Sequence, residues 1–224
     1  MQKTKTSIIL ILITTAVFFA GCLNYDQITV IKSDGSGDMY LHCWMKLYPE
    51  YDSLNLTRFK LFNEDSLRNI FSSKFTDIDK IIVYKDQSDS TFHSKVELSF
   101  TSLDSLNRVR GFRNLNYSLT KGPDNTIIFS QSLNPFPVGY GISRGDEQIS
   151  YTYYLPGEII RHNATKQKKN KLEWIFRSDE IARFQTLTAT YKPFKLKETP
   201  SWIYYLALSV LLIVIVFLFR GKKR

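Results

Sequence analysis

The chain has 224 residues, with 30 Lys and Arg against 21 Asp and Glu, and 43% of it is hydrophobic. That apolar share, with 14% aromatics, excludes a disordered chain, and two cysteines exclude a disulfide-dense mini-protein. The positive excess sits at the ends: Lys3 and Lys5 in residues 1–21 and Arg220, Lys222, Lys223 and Arg224 in residues 220–224, with no acid in either stretch. The middle is nearly balanced, so a nucleic-acid coat is excluded and no nucleic-acid partner is expected.

Residues 1–21 read as a secretory signal, in which Lys3 and Lys5 precede the apolar run 8–20. The run closes on Phe19-Ala20-Gly21-Cys22, which resembles the lipobox of bacterial lipoproteins. That resemblance implies cleavage before Cys22, a diacylglycerol thioether on its sulfur and often a fatty acyl group, such as palmitate, on its new amine. Cys22 is therefore the expected site of lipid attachment.

Residues 22–193 read as one α+β domain, mainly antiparallel sheet with two or three short helices. A strand over 27–31, a turn over 33–37 and a strand over 39–48 form a first hairpin. Asn63 or Asp65 can cap a helix running to Lys74, with Leu67, Ile70, Phe71 and Phe75 on one face. Strands over 78–85 and 91–101 make a second hairpin. Leu103, Leu106 and Val109, spaced by three, mark a short helix over 102–110. Strands follow over 116–120, 126–132, 148–154, 158–165, 171–177 and 187–191. Residues 134–145 form an irregular loop, and 178–180 can start a turn of helix.

Residues 194–201 read as a linker, and the uncharged stretch 202–219 as a transmembrane helix with Trp202, Tyr204 and Tyr205 at one interface. The basic residues at 220–224 then make a cytoplasmic tail by the positive-inside bias. The expected location is a bacterial cell membrane, single-pass, with the bulk of the chain extracytoplasmic and lipid-anchored at its N-terminus.

Little in the domain points to catalysis. His42, His93 and His162 stand on three different strands without metal-ligand spacing, so no metal and no cofactor are expected. No nucleophile elbow and no phosphate-binding glycine loop occurs; Gly139, Gly141 and Gly145 reproduce neither. Carboxylate neighbours such as Asp77/Asp79 and Asp146/Glu147 are ordinary surface features without a geometry to join them. Cys43 reads as a small core hydrophobe. Lys166, Lys168, Lys169 and Lys171 make a basic hairpin tip, a solvated turn that guards a sheet edge or a contact for anionic headgroups.

The run from Leu155-Pro156-Gly157-Glu158 to Asn163-Ala164, then Leu172-Glu173-Trp174-Ile175-Phe176, resembles the LppM-type domain of bacterial envelope lipoproteins. The resemblance implies a Bet v 1-like, lipid-binding-type concave sheet around an apolar cavity, and a role in handling envelope lipids. The expected function is thus a non-enzymatic, membrane-anchored envelope lipoprotein whose outward domain binds a lipid or amphipathic ligand. The alternative is a scaffold or assembly partner for another envelope protein.

Overall fold

The first hairpin shows how local sequence sets the architecture. In a computed structural model, which describes residues 23–46, 60–133, 148–177, 180, 185–194 and 201–220, β1 (Leu23–Ile31) and β2 (Gly37–Lys46) pair antiparallel in register from Leu23↔Met45 to Ile31↔Gly37. The intervening turn is closed by Gly35 N–H donating to Lys32 O at 3.0 Å and by the Asp34 carboxylate, which accepts from the Ser36 amide and hydroxyl. Gly35 holds φ +85°, a left-handed conformation that favours glycine. At Gly37 a Cβ would lie 2.1 Å from Val30 O and 2.5 Å from the Phe100 ring, so only glycine permits this approach.

Helix α1 (Glu64–Phe71) is shorter than expected. Asn63 caps it, its Oδ1 accepting from Ser66 N–H at 2.8 Å. It stops before Lys74 because hydroxyls take over the backbone: Thr76 Oγ1 donates to Phe71 O at 2.6 Å and Ser73 Oγ accepts from Phe75 N–H. The second expected helix is a 3-10 helix, Asp104–Arg108. Its apolar spacing of three matches a helix with three residues per turn, and Leu103, Leu106 and Val109 are all fully buried.

The remaining strands are β3 (Thr76–Asp86), β4 (Thr91–Phe100), β5 (Ser118–Lys121), β6 (Ile127–Leu133), β7 (Gln148–Tyr154), β8 (Gly157–His162), β9 (Lys166–Lys168), β10 (Lys171–Arg177) and β11 (Gln185–Pro193). They form a large sheet, β3-β4-β2-β1-β7-β10-β9, and a small sheet, β5-β6-β11-β8. All pairs are antiparallel except β1 with β7. The two sheets share one core. Phe129 of β6 lies 4.5 Å from the Tyr153 ring of β7 and 6.3 Å from Trp174 of β10. The antiparallel α+β expectation fits this domain.

Three expectations change. The resemblance implied one concave sheet, whereas the strands divide between two sheets that share one core. The strand expected over 158–165 ends at His162 as β8, and the basic stretch after it opens a further short strand, β9, in the other sheet. The transmembrane helix is also corrected. No helix among the described residues is long and apolar enough to cross a membrane. Helix α2 (Ser201–Arg220) belongs to a second unit, Phe194–Arg224, separate from the compact unit that ends at Pro193.

Candidate functional site

Two clusters of chemistry-bearing side chains emerge, one between the sheets and one on the outer face of the large sheet. The inner cluster begins on β1. Its inward residues include Gln27 and Thr29, both fully buried, while Ile28 and Val30 point out and are 39% and 40% exposed. Pairing dictates this: Gln27 lies opposite Leu41 and Thr29 opposite Met39, whose side chains form the core.

The buried polar groups satisfy one another. Gln27 Nε2 donates to Thr29 Oγ1 at 3.0 Å and to Tyr153 OH at 2.9 Å, and Tyr25 OH donates to Gln27 Oε1 at 3.0 Å. Tyr153 OH donates in turn to Gln131 Oε1 at 2.6 Å, and Gln131 Nε2 reaches Tyr117 OH at 3.4 Å. Burial drives the phenols of Tyr25, Tyr117, Tyr151 and Tyr153 far above their ordinary range. Every member is neutral at physiological pH, so the cluster ties strand to strand and offers no poised acid or base.

Beside it an apolar void of about 50 Å³ lies between β2, β4 and α1, lined by residues including Tyr25, Leu41, Leu67 and Phe71. Cys43 also borders it. The thiol is 6% exposed, and burial pushes it up to about 12, far from thiolate chemistry at neutral pH.

The outer cluster joins residues that the sequence reading kept apart. Trp44 of β2 and Tyr84 of β3 both lie opposite His93 of β4, and His42 lies diagonally across from it. His42 Nε2 and His93 Nδ1 are 3.0 Å apart. The 5.3 Å between ring centroids equals that bond plus one ring radius on each side, so the two imidazoles meet in line. His42 also stacks on Trp44 at 4.6 Å, and His93 on Tyr84 at 4.7 Å with only 7° between planes.

The protons in this row can be placed by working inward from its anionic end. Thr91 Oγ1 donates to Asp89 Oδ1 at 2.6 Å, and the bonds from Thr91 hold that carboxyl below its ordinary value. Thr91 Oγ1 therefore accepts from His93 Nε2–H at 2.7 Å. That leaves His93 Nδ1 bare to accept from His42 Nε2–H. Burial, reinforced by Lys95 and His93, lowers His42 to about 4, and burial likewise lowers His93. Both imidazoles are neutral at pH 7.

The other expected residues fall separately. Cys22, the lipid-attachment site, lies outside the described residues, as do the loop over 134–145, Asp146/Glu147 and Ser178-Asp179. His162 is taken up locally, with Nδ1 accepting from Ala164 N–H and Nε2 donating to Gln167 Oε1 at 2.9 Å. The lysine cluster forms the β9–β10 hairpin, in which Lys171 pairs with Glu173 at 3.7 Å. Trp174 of the Pro-Gly-to-Trp motif is 1% exposed and donates its indole N–H to Asn163 Oδ1 at 2.9 Å.

No family model matches the chain. No curated protein matches it in sequence. Among solved structures, the chain is similar to the NMR structure of the Mycobacterium tuberculosis LppM protein folded domain. The identity is 16%, the match covers 80% of this chain and 94% of that chain, and the TM-score is 0.46. This is the type of domain that the Pro-Gly-to-Trp motif resembles.

Proposed function

We propose that the chain is a bacterial envelope lipoprotein, acylated on Cys22 and non-catalytic, whose domain sits outside the cytoplasm and acts through its surface as an assembly partner for another envelope protein. The signal and the Ala20-Gly21-Cys22 junction support the address. The observation that favours a surface role is the lack of a ligand-sized interior cavity among the described residues, combined with an apolar and aromatic outer sheet face. The void of about 50 Å³ beside α1 is far below the roughly 300 Å³ at which small-molecule sites begin. Meanwhile Ile28, Val30 and Tyr84 each expose more than a third of their surface on the outer face of the large sheet.

The lipid-ligand reading keeps one supporting observation: the void is apolar and bordered by Leu61 and Leu67, from two short helical segments, Lys60–Phe62 and α1, rather than from a sheet. An acyl chain would have to displace those segments.

Metabolic labelling with a palmitate analogue, followed by purification and lipid extraction, tests both levels. The expected result is label on the wild-type chain, none on Cys22→Ala, and no non-covalent lipid at one equivalent. Label that persists in Cys22→Ala would remove the lipoprotein reading. Stoichiometric extractable lipid would replace the surface role with ligand handling.

A further inference from the structure

The geometry points to His42 and His93 as the two protein ligands of a surface site for a divalent, Cu(II)-like cation, with water completing its coordination. Two imidazole nitrogens that face each other at 3.0 Å have the spacing of adjacent ligands on one ion. With metal–nitrogen bonds of about 2.0–2.1 Å, two ligands at a right angle stand about 2.9 Å apart. Each lone pair then turns by about 45° from the line joining the nitrogens onto the ion, and the nitrogens need not separate.

The surroundings prepare both rings. His93 donates its other N–H to Thr91, which donates to Asp89, the outer-shell arrangement that fixes a ligating imidazole's tautomer and raises its basicity. Trp44 and Tyr84 hold the ring planes from either side of the pair. Both rings are only partly buried, so an ion can reach them.

Protons balance without release to solvent. His93 Nδ1 already presents a lone pair, and the proton on His42 Nε2 transfers through water to Nδ1 of the same ring. Two neutral imidazoles then hold the cation. Among divalent first-row ions imidazole pairs favour Cu(II), and a right-angle pair suits its tetragonal geometry. No group of three or more His, Cys, Asp or Glu side chains gathers among the described residues, so two protein ligands with water is the composition the site offers. Lys95 and Asp26 face His42, while Asp86 and Asp89 face His93; Lys95 weakens cation binding and the three carboxylates favour it.

The test is Cu(II) titration of the detergent-solubilised full chain, read by calorimetry and by nitrogen hyperfine structure in electron paramagnetic resonance. Cys22→Ser is present throughout, so that the thiol neither binds nor reduces the ion; the remaining Cys43 is buried. One equivalent with two-nitrogen coupling is expected. His42→Asn and His93→Asn should each weaken binding at least tenfold, Thr91→Val should weaken it by about tenfold, and His162→Asn should leave it unchanged. Lys95→Gln, on the rim and away from the core, should tighten it several-fold. Equal affinity in wild type and both His variants overturns the site. If those variants lose their fold, an unaltered affinity in Lys95→Gln overturns it instead.

Discussion

Tyr153 carries more of the interior than its single hydroxyl suggests. It accepts from Gln27 Nε2 at 2.9 Å and donates to Gln131 Oε1 at 2.6 Å, so it links strands of both sheets while its ring packs 4.5 Å from Phe129. Removing the hydroxyl leaves a buried carbonyl and a buried amide short of a partner, and each orphan costs about 1–3 kcal/mol. Tyr153→Phe should therefore lower the urea midpoint by an amount equivalent to roughly 2 kcal/mol, although ring volume is kept. An unchanged midpoint would mean that the amides find other partners. This cluster was not legible in the sequence. The sequence marks a strand over 27–31, but its most apolar alternate pair, Ile28 and Val30, faces outward and Gln27 and Thr29 face in. Only the tyrosine hydroxyls from distant strands make that inversion tolerable.

At the scale of elements, local signals were legible and neighbours were not. Asn63 was readable as a cap because its side chain can accept from the first turn, and it does so with Ser66 N–H. Asn63→Ala should destabilise the chain by about 1 kcal/mol, measured as a shift in the denaturant midpoint, whereas Asn63→Asp should retain the cap. A midpoint that does not move in Asn63→Ala would assign the helix start to packing of Leu67 and Phe71 alone. The threefold spacing of Leu103, Leu106 and Val109 announced a helix but left its type open, and the structure answers with 3-10 geometry. The end of α1 was missed because Ser73 and Thr76 cap it through side chains, which helical periodicity does not weigh. The His42–His93 contact was hidden for another reason: it depends on the β2–β4 register across 51 residues of sequence. The parallel β1–β7 pair is of the same kind, since each strand's pattern names a buried face and not the strand beside it.

Across the whole molecule, burial couples several acids to one opening event. Tyr191 and Cys43 are each pushed up to about 12 by burial, and Tyr25, Tyr117, Tyr151 and Tyr153 are raised as well. In the unfolded chain the thiol ionises near 8.5 and the phenols near 10. Above those values the folded state binds more protons than the unfolded one, so stability is complete below about pH 8.5 and falls as pH rises toward 12. Ultraviolet absorbance at 295 nm should show these phenols ionising in one step, together with loss of circular dichroism. Gradual ionisation with the dichroism intact would mean that the interior admits hydroxide without unfolding. The same two-sheet closure brings rings from both sheets, Phe129, Tyr153 and Trp174, into contact between them.

Leu23 pairs with Met45 at the very start of β1, and β1 is flanked by β2 and β7 in the middle of the large sheet. With Cys22 as the lipidated residue, no slack tether separates bilayer from folded body. Tension applied through the lipid would load a central rib along its length, so rows of hydrogen bonds on both flanks would resist in shear rather than peel one by one. A protein anchored there as proposed would be mounted on its membrane like a bracket, its reach the breadth of its own fold.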